Sequence, residues 1–345
     1  MIAIKQVEFE EIKDKWIRLE NEGDVPVIYQ TYDWQRIWWQ HYGYSRRNLL
    51  LLGAYCKNDL VGIAPLFIDS LVIKKRVKLF DMINLVGARE SDYTGLIFRQ
   101  EFYPQVFESF AFYLSRHYPH CILYFTDLQE ELFKKIKPFA HYYPGFISRK
   151  DFLCPMVDCS SSWEDYKSRL GKSTKKLLNR QRNKLNKTGQ LKIEMITSYS
   201  EGDSNDLFKL HYQRWSMNPD EPSLSRLERF EKDIMKMLAC KKYLRLMFLN
   251  HDGKRIAGLF MYDYHNIRHF HKGGYSPDYS DLSPGTVLLA EAIKCAFESN
   301  INYFDLLRGE ENYKSHFTKD RLQCYSLIAA RTYMRAKLFE IILKL

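Results

Sequence analysis

A chain of 345 residues, 46% hydrophobic and 15% aromatic, exceeds one ordinary domain and can fill two cores. Its net charge of +10 favours anionic partners, and no stretch approaches the roughly 20 apolar residues of a membrane-spanning helix. Seven cysteines without a CxxC pair read as reduced thiols in the cytoplasm, and no metal site is expected from them.

The start, Met1 to Glu8, turns acidic early and lacks an apolar core, so it does not read as a signal peptide. The first helical pattern spans Tyr32–Tyr42. Apolar runs at Leu49–Cys56 and Leu60–Asp69 flank the turn Lys57-Asn58-Asp59, which predicts a β-hairpin. Pro65 in the return strand suits an edge or bulged position. A helix follows over Tyr103–Tyr118, with Val106, Phe107, Phe110 and Leu114 on one face and Pro119 as its stop. Cys121–Phe125 reads as a buried strand. Cys154-Pro155 and Ser160-Ser161-Ser162 then break the pattern, which divides the chain into domains 1–155 and 156–345.

The second half opens on a cationic run, Lys167 to Lys192, with ten lysines and arginines and no acid. Leu170, Leu177, Leu178 and Leu185 give it a thin apolar stripe, interrupted at Gln181. It is either a solvated helix face or, through residues such as Lys176 and Arg180, a grip on a phosphorylated acceptor or on RNA. Helical patterns at Asp206–Met217 and Leu227–Leu238 precede a second hairpin, Tyr243–Leu249 and Lys254–Tyr264, around Asp252-Gly253. Next comes a strand, Ile267–Tyr275, on which His269 and His271 share a face by parity and line a cleft. A helix runs from Pro284 to Ser299 and a strand from Tyr303 to Leu307. Each half thus runs hairpin, third strand, helix, fourth strand, which predicts an internal duplication. The last stretch, Ala329–Leu345, is amphipathic; it suits packing on the domain, with peripheral membrane contact as the alternative.

Two features carry candidate chemistry. Ser283-Pro284-Gly285-Thr286 opens a helix with Ser283 as N-cap and Pro284 at the first turn, and free N–H groups there would seat an anion. Asp305 stands in an apolar strand, where a carboxylate must find a partner or face a cleft. Gly171-Lys172-Ser173 lacks the leading glycine of a phosphate loop, and His316 to Asp320 fits an HxxxD pattern only by its letters.

Ser283-Pro284-Gly285, then a helix, then Phe304-Asp305-Leu306-Leu307-Arg308-Gly309-Glu310-Glu311-Asn312-Tyr313-Lys314, resembles the C-terminal signature of the CelD-like acetyltransferases. These belong to the GCN5-related N-acetyltransferase (GNAT) superfamily and are linked to cellulose and exopolysaccharide synthesis. Tyr32-Asp33-Trp34-Gln35-Arg36-Ile37-Trp38-Trp39 and Leu210-His211-Tyr212-Gln213-Arg214-Trp215 are similar to that family as well. Glu310 and Asn312 depart from its usual Asp and Pro. The resemblance implies an α/β (α+β) fold of two tandem GNAT-like domains, each a mixed, mostly antiparallel sheet flanked by helices.

It also implies an acyltransferase using acetyl-CoA or another acyl-CoA, with the donor site in the second domain and a non-catalytic first domain. Ser283, Pro284, Gly285, Thr286 and Tyr275 would then hold the coenzyme. Tyr313 would protonate the leaving thiolate, and Glu311 or Asp305 would act as base. Arg308, Lys314, Arg214, Lys176, Arg180 and His271 are the candidate substrate-binding residues. The acceptor would be an amine or hydroxyl of a small molecule or saccharide precursor. The family is similar in architecture to Fem-type transferases, so charged tRNA is the alternative donor, and a basic accessory protein without activity is the other alternative.

Overall fold

The computed structural model describes residues 2–22, 25–44, 46–73, 77–136, 138–218, 221–309 and 311–344. Packing separates two compact units, Met1–Phe152 with Gln323–Leu345, and Leu153–Leu322. The first unit begins β1 (Ile2–Gln6), α1 (Phe9–Asn21), α2 (Tyr32–Tyr42), β2 (Asn48–Cys56), β3 (Asp59–Ile73) and β4 (Val77–Leu85). The short β5 (Ile97–Phe98) precedes α3 (Gln105–His117), β6 (Ile122–Gln129), α4 (Glu130–Lys135) and α5 (Phe139–Tyr142). β7 (Gly145–Asp158) leads into the second unit, with α6 (Trp163–Arg169), α7 (Lys172–Thr188), β8 (Leu191–Ile196), α8 (Glu201–Trp215) and α9 (Pro222–Cys240). There follow β9 (Leu244–His251), β10 (Lys254–Tyr264), β11 (Ile267–Tyr275), α10 (Pro284–Glu298) and β12 (Tyr303–Asp305). β13 (Arg321–Ala330) and α11 (Tyr333–Ile342) end the chain.

The two units repeat one plan. In the first, β2, β3 and β4 form an antiparallel meander, α3 crosses over, and β6 returns parallel to β4 through Met82↔Ile122 and Ile83↔Leu123. In the second, β9, β10 and β11 form the meander, α10 crosses over, and β12 returns parallel to β11 through three residue pairs. Both hairpins turn on two residues. Asp252 and Gly253 have φ of 48° and 80°, the left-handed pair that a tight hairpin of this twist requires. Pro65 is not at a sheet edge. It pairs with Leu51 on one side, and on the other it falls between the end of the β5 ladder at Ile63 and the start of the β4 ladder at Leu66, where no donor is demanded.

The expected division assigned everything after residue 155 to the second domain, and the structure returns residues 323–345 to the first unit. β13 pairs antiparallel with β6, and Ala336 and Phe339 of α11 share an apolar cluster with Phe80, Ile122 and Ile328. Residues 329–330 accordingly belong to a strand, not to the terminal helix. The outer side of α11 exposes Tyr333, Met334, Leu338 and Ile341. No helix of the described residues is long and apolar enough to cross a membrane.

Candidate active site at the splayed strands

The parallel pairing of β11 and β12 ends at His269↔Asp305, yet β11 continues to Tyr275. The Ser276 amide donates to the Ile256 carbonyl at 2.9 Å, so ladder alternation turns residues 272 and 274 toward β10 as well. Gly273 and Tyr275 therefore present their backbone groups to the edge that β12 has left. Among the described residues no strand pairing covers that edge beyond His269. α8 closes on it instead: a Cβ at Gly274 would collide with the backbone of Leu210 and His211, so only glycine permits this approach. The helix sets Nδ1 of His211 3.0 Å from the Gly273 carbonyl.

Around this edge the structure gathers several of the expected residues. Pro284 and Gly285 begin α10, and a Cβ at Gly285 would lie 3.1 Å from the Tyr275 ring. The guanidinium of Arg214 stacks on that ring at 4.7 Å and on Trp215 at 4.8 Å, and no carboxylate among the described residues pairs with it. Tyr313 packs its ring against the core of the second unit, and its hydroxyl makes no hydrogen bond among the described residues. Burial and the Glu311 carboxylate push its phenol well above the ordinary tyrosine range, while nearby Arg214 opposes them. Tyr275 thus meets both Gly285 and Arg214, while Arg214 and Glu311 act in opposite senses on the Tyr313 phenol.

Other expected residues take different parts. Ser283 occupies the N-cap position in a left-handed conformation, with φ 48° and ψ 49°, and its side chain makes no capping bond. Its carbonyl instead accepts the Thr286 and Val287 amides. The cap expected from Ser-Pro spacing is therefore corrected: the preceding 3₁₀ turn, Pro277–Leu282, forces the backbone at Ser283 out of the extended region where a serine cap works. Lys314 is buried, and its ammonium is 2.6 Å from the Arg308 carbonyl, 3.5 Å from that of Leu307 and 2.9 Å from Glu311 Oε2. It holds the Arg308–Gly309 turn together from inside. Gly309, at φ 115°, leaves the room that the Glu311 carboxylate fills. Arg308 is half-buried at that turn. Glu310 lies outside the described residues.

Asp305 is 1% exposed. Its Oδ1 accepts the Leu307 amide at 2.8 Å, and its Oδ2 lies 3.3 Å from His269 Nδ1 across the parallel pair. A bulge leaves His271 as an extra residue opposite the Phe260–Met261 step, and both histidine rings still lie near Tyr262. Beside them is a buried charge cluster that the sequence pattern did not reveal. Glu231 of α9 sits 2.8 Å from Lys272 Nζ and 3.5 Å from His271 Nε2. Burial opposes its ionisation, but Lys272 and His271 outweigh burial and hold its carboxyl down at about 2. Burial first, then Lys272, lower His211 to about 4, so its imidazole is neutral at pH 7. With Nδ1–H donated to Gly273, Nε2 carries the lone pair. Lys176 and Arg180 lie on α7 and make no hydrogen bond, ion pair or ring contact with any of these groups among the described residues.

The first unit also has a parallel pair that parts, but there the strand after the crossover is the one that runs on. β4 stops at Leu85, while β6 runs on to Gln129. The edge it leaves is taken by the chain itself: Thr94 forms a parallel bridge to Leu128, and its amide donates to the Asp127 carbonyl at 3.0 Å. The Thr94 hydroxyl bonds the Thr126 carbonyl. Every residue from Ser91 to Phe98 is buried, and Trp34 and Tyr29 hold Ser91 and Asp92 by hydrogen bonds of 3.0 and 2.9 Å.

Residues 172–315, within the second unit, match the family model of the acetyltransferase (GNAT) domain. A search of curated proteins finds no match. Among solved structures, FemX aligns with 99% of this chain and 99% of its own, at 9% identity and a TM-score of 0.63. The C-terminal domain of a putative lysylphosphatidylglycerol synthetase from Agrobacterium fabrum aligns at 11% identity and TM-score 0.58, over 97% of this chain and 95% of that one. The L-PGS structure from Bacillus licheniformis gives 11% and 0.55, over 95% and 93%. At such identities the likeness is one of fold. It extends over both units, and the α/β architecture of mostly antiparallel strands flanked by helices is the one expected from the sequence.

Proposed function

We propose that the second unit transfers an acyl group from a coenzyme A thioester, in the first instance acetyl-CoA, to an amine or hydroxyl. The observation that carries this reading is the meeting of Gly285 and Arg214 on the Tyr275 ring, at an edge of β11 that no strand pairs among the described residues, with Arg214 and Glu311 both acting on the Tyr313 phenol. These residues fit a phosphorylated thioester carrier. Gly285 lets the Tyr275 ring close on the start of α10, the helix end favours an anion, and Arg214 offers a cation that no carboxylate pairs among the described residues. The carrier supplies an activated acyl carbon and a thiolate leaving group.

The chain's own groups then divide the proton work. Tyr313, kept protonated by its burial, donates to the departing sulfur. His211, neutral and with Nε2 available, receives a proton from the acceptor nucleophile. Of the two carboxylates expected in that role, Asp305 is buried and bonded to the Leu307 amide, whereas Glu311 is partly exposed and pairs with Lys314. Glu311 is therefore the second candidate base, and its charge also keeps the Tyr313 proton in place. The resemblance to CelD-like proteins supports an acceptor among the cell-envelope or polysaccharide precursors.

Two measurements on the purified chain test this reading. Acetyl-CoA raises the melting temperature, and Tyr313→Phe keeps that rise while thiol release with amine acceptors such as glucosamine falls about 10²–10⁴-fold. Near-normal release in that variant removes the phenol from the mechanism. No thermal response to acetyl-CoA, with a response to charged tRNA, replaces the donor with the Fem-type alternative.

A further inference from the structure

The formal excess of +10 is not spread over the molecule. Ten cations and no carboxylate lie between residues 167 and 192; with those set aside, 42 lysines and arginines balance 42 aspartates and glutamates. Most of that segment is α7, whose apolar side is committed to the second unit: Leu185 is in its core, Leu178 packs against it, and Arg182 pairs with Glu291 of α10 at 2.9 Å. The other side is a continuous row of Lys172, Lys175, Lys176, Asn179, Arg180, Asn183, Lys184 and Lys187. From Lys172 to Lys187 this row is about 22 Å long at 1.5 Å per residue. Lys175 donates to the Ser168 carbonyl at 2.7 Å. Lys172, Lys176, Arg180, Lys184 and Lys187 make no hydrogen bond or ion pair among the described residues.

We propose that this row is a docking surface for the phosphate backbone of a nucleic acid. A row of unpaired cations at helical spacing meets a polymer carrying one charge every few ångströms, and two asparagines within it add neutral donors and acceptors. A lipid surface fits less well. Helices that lie in a membrane interface present an apolar side to the acyl chains, whereas every exposed residue of α7 is polar and its apolar side is inside the protein. Among the described residues Lys176 and Arg180 make no hydrogen bond, ion pair or ring contact with the groups proposed for transfer.

Fluorescence anisotropy with a labelled RNA hairpin and a labelled DNA duplex, over a series of salt concentrations, tests the proposal on the full chain. Binding is expected to weaken steeply with salt, by about 0.9 log units in affinity per log unit of salt for each phosphate neutralised on the duplex. The triple variant Lys176→Glu, Arg180→Glu, Lys184→Glu is expected to lose at least tenfold in affinity and to flatten that slope by two to three phosphates' worth, about 2–3 log units per log unit. Arg116→Glu, Lys150→Glu, Lys319→Glu removes the same charge from exposed sites elsewhere, and is expected to bind within about threefold of the native chain, a charge-only effect being small at a distance in salt. Equal loss in both triples, salt-independent binding, or no binding of either nucleic acid overturns the proposal. So does capture by phosphatidylglycerol vesicles that the α7 triple abolishes while nucleic acid binding is unchanged. Acetyl-CoA stabilisation is read on the same variants and is expected to persist in both, so a failed docking surface and a failed donor site give different results.

Discussion

The edge of β6 that β4 leaves and the edge of β11 that β12 leaves have opposite fates. In the first unit residues 91–98 enter, Thr94 bridges Leu128, and the backbone groups find partners within the chain. In the second unit the route from β11 to α10 is short: Tyr275 is nine residues from Pro284, and a 3₁₀ turn uses most of the interval. No segment is left to enter, so glycine, imidazole, guanidinium and phenol collect there instead. Loop length decides which copy of the fold keeps its strand edge open among the described residues.

Substitutions in the two units should separate accordingly. The largest effect is expected at Gly274→Val, whose side chain cannot coexist with α8 in its place. Overpacking of this kind costs about 1–3 kcal/mol, and the displaced helix should also abolish stabilisation by acetyl-CoA. Urea titration with and without the thioester measures both; a retained ligand response would mean that α8 is not a wall of the site.

The acid limb of stability should come next. His211 has a folded value of about 4 against an ordinary 6.5, so the unfolded chain takes up a proton first. Its contribution is complete above pH 6.5 and is lost as pH falls from 6.5 through 4. Glu231, held at about 2 against 4.5, adds a second loss from 4.5 down to 2. His211→Asn should flatten the upper window, seen as unfolding midpoints that change less between pH 7 and 4.5. An unchanged profile would show that the imidazole is not buried neutral.

The smallest effect is expected at Thr94→Val, which removes the hydroxyl bond to Thr126. It should cost about 0.5–1.5 kcal/mol of stability and leave both the acetyl-CoA response and thiol release unchanged. A loss of the acetyl-CoA response would make the first unit part of donor binding.

Much of this fold is legible in the letters. Two hairpins with turn residues between apolar runs, helices ended by Pro119 and opened by Pro284, and short buried strands after each helix all carry local signals. What is not legible depends on partners distant in sequence. Ala329–Leu345 looks like one amphipathic piece, and only its pairing with β6 reveals the strand at its start. Lys314 is expected to bind substrate, and nothing in its spacing announces the three inward acceptors that take it instead. Asp305 announces its need for a partner but not the Leu307 amide that meets it. His211 was visible only as part of a motif. A signal for its setting existed in the Gly273-Gly274 pair, since glycines within a strand mark close approach of another backbone.

On the transfer reading proposed above, the bridge at Thr94 means that one copy of the fold contains, in covalent form, what the other would take from solution. The first unit's cohesion should therefore be indifferent to metabolite levels. That of the second should follow its ligand by mass action, gaining about 2.7 kcal/mol when the ligand stands at a hundred times its dissociation constant. In a cell short of donor, proteases would find residues 153–322 before they found the rest.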